Sequence, residues 1–222
     1  MLIGNVEDIE LDGCAVRLHQ WQPPGSTSPR DDRPPILLVH GLGANTMSWM
    51  TVGRDLAERH GTSVVALDLV GFGYTRAVGT PATVSRNADL VVAALERLGP
   101  SVVAGNSMGG AITVKVAARR PDLVEAMVLV NPAVRASGLR SPQMRAGMFM
   151  APMLFPRVGE RVVSARAEQL GPEGLVDSTL EVVLERLDAL DTSVRDTFVA
   201  IARDRMAFPE AARAYADAAS SL

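Results

Sequence analysis

Ser101-Val102-Val103-Ala104-Gly105-Asn106-Ser107-Met108-Gly109-Gly110 is the stretch on which the reading of this chain turns. It opens on β-branched apolar residues, as a short buried strand does, and closes on a glycine pair. Ala111 to Ala118 then reads as a helix. Gly105, Ser107 and Gly109 stand at alternate positions, the Gly-x-Ser-x-Gly spacing of a serine carried on a sharp strand-to-helix turn. The spacing has a steric reason. A serine on such a turn has a strained backbone, so the residues two before and two after it must lack bulk. The turn lifts the hydroxyl above the sheet, and the helix that follows points its positive end at the same spot. Glycine and serine are common, so the spacing gains its meaning from the strand before it and the helix after it.

Outward from this stretch, apolar runs alternate with helical patterns. Val6 to Leu11 and Ala15 to Trp21 read as two strands joined by a turn at Asp12-Gly13. Pro23 to Pro35 is a polar, proline-rich loop. Ile36-Leu37-Leu38-Val39 is a continuous apolar run, as in a strand buried on both faces, and it ends in His40-Gly41-Leu42-Gly43. Thr46 to His60 is helical and stopped by Gly61. Ser63 to Leu69 is a further strand, ending in Asp68-Leu69-Val70-Gly71-Phe72-Gly73, and Val84 to Leu98 is an amphipathic helix closed by Gly99-Pro100. After the central stretch and its helix to Arg120 comes a strand at Ala126 to Val130, ending Asn131-Pro132-Ala133. This alternation predicts an α/β fold with a doubly wound, mostly parallel sheet. Beyond Val134 the composition shifts: residues 135–222 are helical, with a methionine-rich stretch from Met144 to Phe155. The expected division is a core at 1–134 holding six strands and a helical cap at 135–222.

Composition narrows the function classes. The chain has 222 residues, 22 basic against 25 acidic, so its net charge of −3 gives no reason to expect nucleic acid. Cys14 is the only cysteine and reads as a plain thiol; no internal disulfide can form. No run approaches the ~20 apolar residues of a membrane helix. The N-terminus lacks the basic-then-apolar pattern of a signal peptide, and a cytoplasmic location is expected. No His, Cys and carboxylate cluster has metal-ligand spacing, and the glycines at 41–43 and 71–73 complete neither a dinucleotide nor a P-loop pattern, so no cofactor is expected.

His40-Gly41-Leu42-Gly43, Asp68-Leu69-Val70-Gly71-Phe72-Gly73 and Gly105-Asn106-Ser107-Met108-Gly109-Gly110, in this order at strand ends, resemble the α/β-hydrolase superfamily. The likeness runs from about Leu11 to Ala133, and the helical region after it looks like the cap that many members carry. The resemblance implies that Ser107 is the nucleophile and that the backbone amides of Leu42 and Met108 form the oxyanion hole. Fixed amides of that kind meet the negative oxygen of an acyl-transfer intermediate without reorganising. Met148 and Met153 in the methionine-rich stretch are candidates for an acyl pocket, with ordinary packing the equal alternative.

The family's triad runs serine, acid, histidine along the chain. Here His19, His40 and His60 all precede Ser107, and Asn131 stands at the strand end where some members place the acid. No residue matches the triad histidine or acid, and the chain is expected to stop near the end of the cap, as a fragment inactive by itself. His40 is read as structural, His60 as favouring a helix end, His19 as facing solvent or a neighbouring strand, and Asp68 as shaping a turn. The intact protein is expected to be a serine hydrolase acting on a small, apolar ester or related acyl substrate through an acyl-enzyme. The competing readings are carbon–carbon bond hydrolysis on the same elbow, and a non-catalytic binding protein that kept the fold and lost the triad. Epoxide hydrolysis and dehalogenation are disfavoured, because in this fold they use an aspartate where Ser107 stands.

Overall fold

The computed structural model describes residues 4–25, 33–133, 155–186, 188 and 190–222. Residues 26–32 of the proline-rich loop and the methionine-rich stretch through residue 154, with Met148 and Met153, lie outside the described residues.

Six strands form one sheet: β1 (Asn5–Leu11), β2 (Cys14–Trp21), β3 (Ile36–Val39), β4 (Val64–Leu67), β5 (Ser101–Asn106) and β6 (Val124–Val130). Their spatial order is β1-β2-β4-β3-β5-β6. β1 and β2 make the expected hairpin, with Leu11 opposite Cys14. Asp12 and Gly13 both take positive φ (49° and 72°), as a two-residue turn matched to strand twist requires. β2 meets β4 antiparallel, and the pairs β3–β4, β3–β5 and β5–β6 are parallel. The sheet is therefore mixed and mostly parallel.

Alternation within the short central strands builds two cores. Leu37 and Val39 of β3 pack on one face with Val65, Leu67 and Val103. Over that face lie α2 (Val84–Leu98), through Leu90, Val91 and Leu95, and α3 (Met108–Arg119), through Met108, Ile112 and Val116. Ile36 and Leu38 face the other way, against Val64, Ala66, Trp21 and Ala57 of α1 (Met50–His60). All four residues of β3 and of β4 are buried, which explains why they carry no polar alternation.

Two expected elements differ in detail. The helix expected over 46–60 begins as a 3-10 turn, Thr46–Trp49, because the Asn45 side chain accepts the Met47 amide at 2.9 Å and sets a separate start. The strand expected over 63–69 is only Val64–Leu67: the Asp68 amide still donates to Arg17 O of β2 at 2.9 Å, but its carboxylate turns to the loop amides of Thr46 and Tyr74.

Beyond residue 155 the chain is helical: α4 (Pro156–Val183), α5 (Thr192–Met206) and α6 (Ala211–Ser220). α4 breaks at Gly171 (φ 64°, ψ 178°) ahead of Pro172, which removes a helix donor. α6 lies close on the sheet layer. Ala214 and Ala218 belong to the same buried cluster as α2 and α3, and the Ser221 hydroxyl accepts the Val84 amide at 2.9 Å.

Candidate active site

Ser107 joins β5 to α3 with φ 51° and ψ −114°, a backbone conformation that favours glycine. Three backbone bonds pin it. Its amide donates to Val130 O at 3.0 Å, and its carbonyl accepts Ala133 N at 2.9 Å and Ala111 N at 3.2 Å. The glycines around it are explained by contact. A Cβ on Gly105 would meet Gly109 O and Thr113 Oγ1; on Gly109, the Val39 and His40 carbonyls; on Gly110, Pro132 Cβ at 2.7 Å. The serine is half-buried, and its hydroxyl does not cap α3.

The turn after β3 runs beside the serine. A Cβ built on Gly41 would lie 3.3 Å from Ser107 Cβ and 3.1 Å from Asn106 Oδ1. Ala44 N closes this turn on Gly41 O at 3.2 Å, with Leu42 half-exposed between them. Met108, fully buried, is the first residue of α3, so its amide is one of the first-turn donors that have no acceptor within the helix. The structure thus brings the His40–Gly43 turn and the head of α3 together around Ser107. Met148 and Met153 lie outside the described residues.

His40 has no freedom to serve chemistry. It is fully buried; its Nε2 accepts the Leu69 amide at 3.0 Å, which places the ring proton on Nδ1, donating to Gly41 O at 2.8 Å. Burial pushes its pKa down to about 4. Asp68 is equally committed. Its Oδ1 accepts Thr46 N at 2.7 Å and its Oδ2 accepts Tyr74 N at 2.8 Å, while burial raises its pKa. His19 is buried in β2 beside Trp21, its Nδ1 without a partner among the described residues. Asn131 joins Ser107 and Asp12 as a non-glycine residue at positive φ (45°), at the end of β6.

Three residues escape a reading of the sequence alone. Asn45 starts the 3-10 turn, and Arg205 and Tyr215 reach the site's loops from α5 and α6. Tyr215 Cε2 lies 3.0 Å from where a Gly43 Cβ would stand. An isolated arginine or tyrosine carries no pattern that points across more than 100 residues of chain, whereas Asn45 caps the next turn locally, a signal that an N-cap residue before the helical pattern could have given. Among the described residues, no group of three or more His, Cys, Asp or Glu side chains is placed to hold a metal ion. No helix among the described residues is long and apolar enough to cross a membrane.

A strand-borne serine on a strained turn, on a mostly parallel sheet and beside a glycine turn, defines the class. The chain belongs to the alpha/beta hydrolase fold family, whose model matches residues 34–215. Among similar proteins, Lipase LipV of Mycobacterium tuberculosis is 34% identical over 119 residues, 53% of this chain and 44% of that protein. The (E)-2-((N-methylformamido)methylene)succinate hydrolase of Acinetobacter baylyi is 32% identical over 99 residues, 44% of this chain and 37% of that protein. The chain therefore spans less than half the length of each. A laboratory-evolved variant of potato epoxide hydrolase StEH1 superposes with a TM-score of 0.72 at 20% identity, over 98% of this chain and 74% of that one, which shows a shared fold.

Proposed function

We propose that Ser107 is the nucleophile of a serine hydrolase acting on a small, largely apolar ester or related acyl compound. The observation that carries this reading is the backbone of Ser107 itself, a strained φ of 51° held by three hydrogen bonds and by glycines with no room for a Cβ. In the proposed reaction Ser107 Oγ attacks the acyl carbon and its proton passes to a base. The amides of Leu42 and Met108 take the charge of the tetrahedral oxygen. The alcohol leaves with a proton, and water then releases the acid from the acyl-enzyme. The similarity to a lipase and to a second hydrolase supports hydrolytic chemistry. A serine at the elbow, where an epoxide hydrolase of this fold would need a carboxylate, supports acyl transfer. The methionines at 148 and 153 remain candidates for the acyl pocket.

The base is the missing participant. His40 is spent on Leu69 and Gly41, and no histidine follows Ser107 in the 222 residues. These residues by themselves should not turn over substrate at an enzymatic rate. Losing a triad base lowers kcat by on the order of 10⁶ in a well-studied serine protease. In the intact protein, incubation with a fluorophosphonate should form the Ser107 Oγ–P bond with loss of fluoride and of the hydroxyl proton. Ser107→Ala should abolish it. Labelling that persists on another serine of the Ser107→Ala variant overturns the assignment; full turnover of a p-nitrophenyl ester by the 222-residue chain would show instead that a base is already present, with His40 the first residue to mutate.

A further inference from the structure

One side chain of helix α5 grips the backbone of the loop after β4. Arg205, in the last turn of α5, donates from Nη1 to Gly73 O at 3.0 Å and from Nη2 to Gly71 O at 2.5 Å. Its guanidinium carbon stands 5.7 Å from the Phe72 ring centroid. Among the described residues it has no carboxylate within ion-pair distance; Asp68 and Glu210 act on it only through space. A guanidinium withdrawn from water without a salt bridge must be satisfied by hydrogen bonds, and here both known acceptors are backbone carbonyls of one three-residue turn.

That turn is stitched to the one beside Ser107. Leu69 N donates to His40 Nε2, and His40 Nδ1 donates to Gly41 O. Asp68 binds Thr46 N with one oxygen and Tyr74 N with the other. Two buried polar side chains thus tie residues 68–74 to residues 40–46, and a Cβ on Gly41 would stand 3.3 Å from Ser107 Cβ. We infer that Arg205 is a positioning residue, transmitting the seating of α5 to the Gly41–Thr46 turn and so holding the Leu42 amide in place.

The functional half of this inference rests on the proposed oxyanion role of Leu42; the structural half does not. Two other links join the same parts of the molecule and provide a contrast. Tyr74 Oη donates to Asp204 Oδ2 at 2.8 Å, and Arg76 pairs with Glu210. Both are exposed side-chain pairs that leave the Gly71 and Gly73 carbonyls untouched.

Amide hydrogen exchange on the 222-residue chain tests the structural half. Arg205→Ala should speed exchange across 41–46 by about tenfold, the loss expected of a hydrogen bond to a charged group. Arg205→Lys, which keeps one donor for one carbonyl, should give a smaller rise, and Arg76→Ala should leave the segment unchanged. Unchanged exchange at 41–46 in Arg205→Ala overturns the inference, and so does an equal rise in Arg76→Ala. If Arg205→Ala does not unfold cooperatively, Arg205→Lys decides alone: a rise at 41–46 supports the inference and wild-type exchange overturns it. The fluorophosphonate rate at Ser107 of the intact protein tests the functional half, and Arg205→Ala should slow it about tenfold. Labelling at the wild-type rate despite faster exchange overturns that half. An intact wild-type protein that never labels refutes the Ser107 reading instead, and leaves the exchange result to stand by itself.

Discussion

Leu69 and His40 are joined by one buried hydrogen bond, the Leu69 amide donating to His40 Nε2 at 3.0 Å. The bond fixes the ring as a neutral tautomer, with its proton on Nδ1 against Gly41 O. A second proton on this ring would break the bond to Leu69 in a place without solvent.

Acid should therefore destabilise the fold through His40. The ring titrates near 6.5 in an unfolded chain and at about 4 in the folded one. A depressed histidine contributes stability that is present above the unfolded pKa and is lost as pH falls through the folded pKa. The gap corresponds to about 3 kcal/mol. Asp68 works in the opposite direction, since burial raises its carboxyl and acidification favours the folded form. His40→Gln keeps Asp68 and an acceptor for Leu69. Between pH 7 and pH 4 wild type should lose about 3 kcal/mol more than this variant in denaturant titrations. Parallel pH profiles would sink the assignment.

Ser107→Gly should stabilise the protein while removing the nucleophile. At φ 51° and ψ −114° a side chain is strained, and relief is worth ~1 kcal/mol against the extra freedom glycine brings to the unfolded chain. Ser107→Ala keeps the strained Cβ and should gain nothing. Urea unfolding of the two variants separates these outcomes; equal stabilities would show that the elbow is unstrained.

Gly109→Ala tests the contact between the elbow and β3. In an exposed helix this exchange would stabilise by ~1 kcal/mol. Here the new Cβ meets the Val39 and His40 carbonyls, so α3 must move away from the strand. Overpacking of this kind costs ~1–3 kcal/mol, and the net sign should be destabilising. A more stable variant by thermal unfolding would mean that α3 can shift freely.

The core was legible in the sequence because its constraints are local. The apolar run at 36–39 has no polar alternation since both faces of β3 are covered, and α2 runs from Val84 to Leu98 as its pattern requires. Gly105 and Gly109 reported their own crowding. Asp68 hid the end of β4, because a carboxylate capping two amides looks like any acid at a strand end. The docking of α6 was also hidden. Ala214 and Ala218 reach the core through their smallness, which allows close approach beside Gly71, and alanine-rich sequence reads equally well as surface helix. The latch at Arg205 acts on backbone carbonyls, which leave no mark on residue identity.

The β6 edge should make the chain self-associate. Among the described residues β6 pairs only with β5, and Met127, Val128, Leu129 and Val130 are 38–51% exposed. The opposite edge strand, β1, carries Glu7, Asp8 and Glu10, the kind of charge that discourages strand addition. β6 has only Glu125 near its start. An apolar, uncharged edge is a template for pairing with another copy, and sedimentation should show mass rising with concentration. Val128→Lys places a charge at the middle of the exposed run. Because the side chain is half in water already, the substitution should change folding stability by no more than about 0.5 kcal/mol. The variant should sediment as monomer at concentrations where wild type does not. Unaltered association of Val128→Lys would place the contact elsewhere on the molecule.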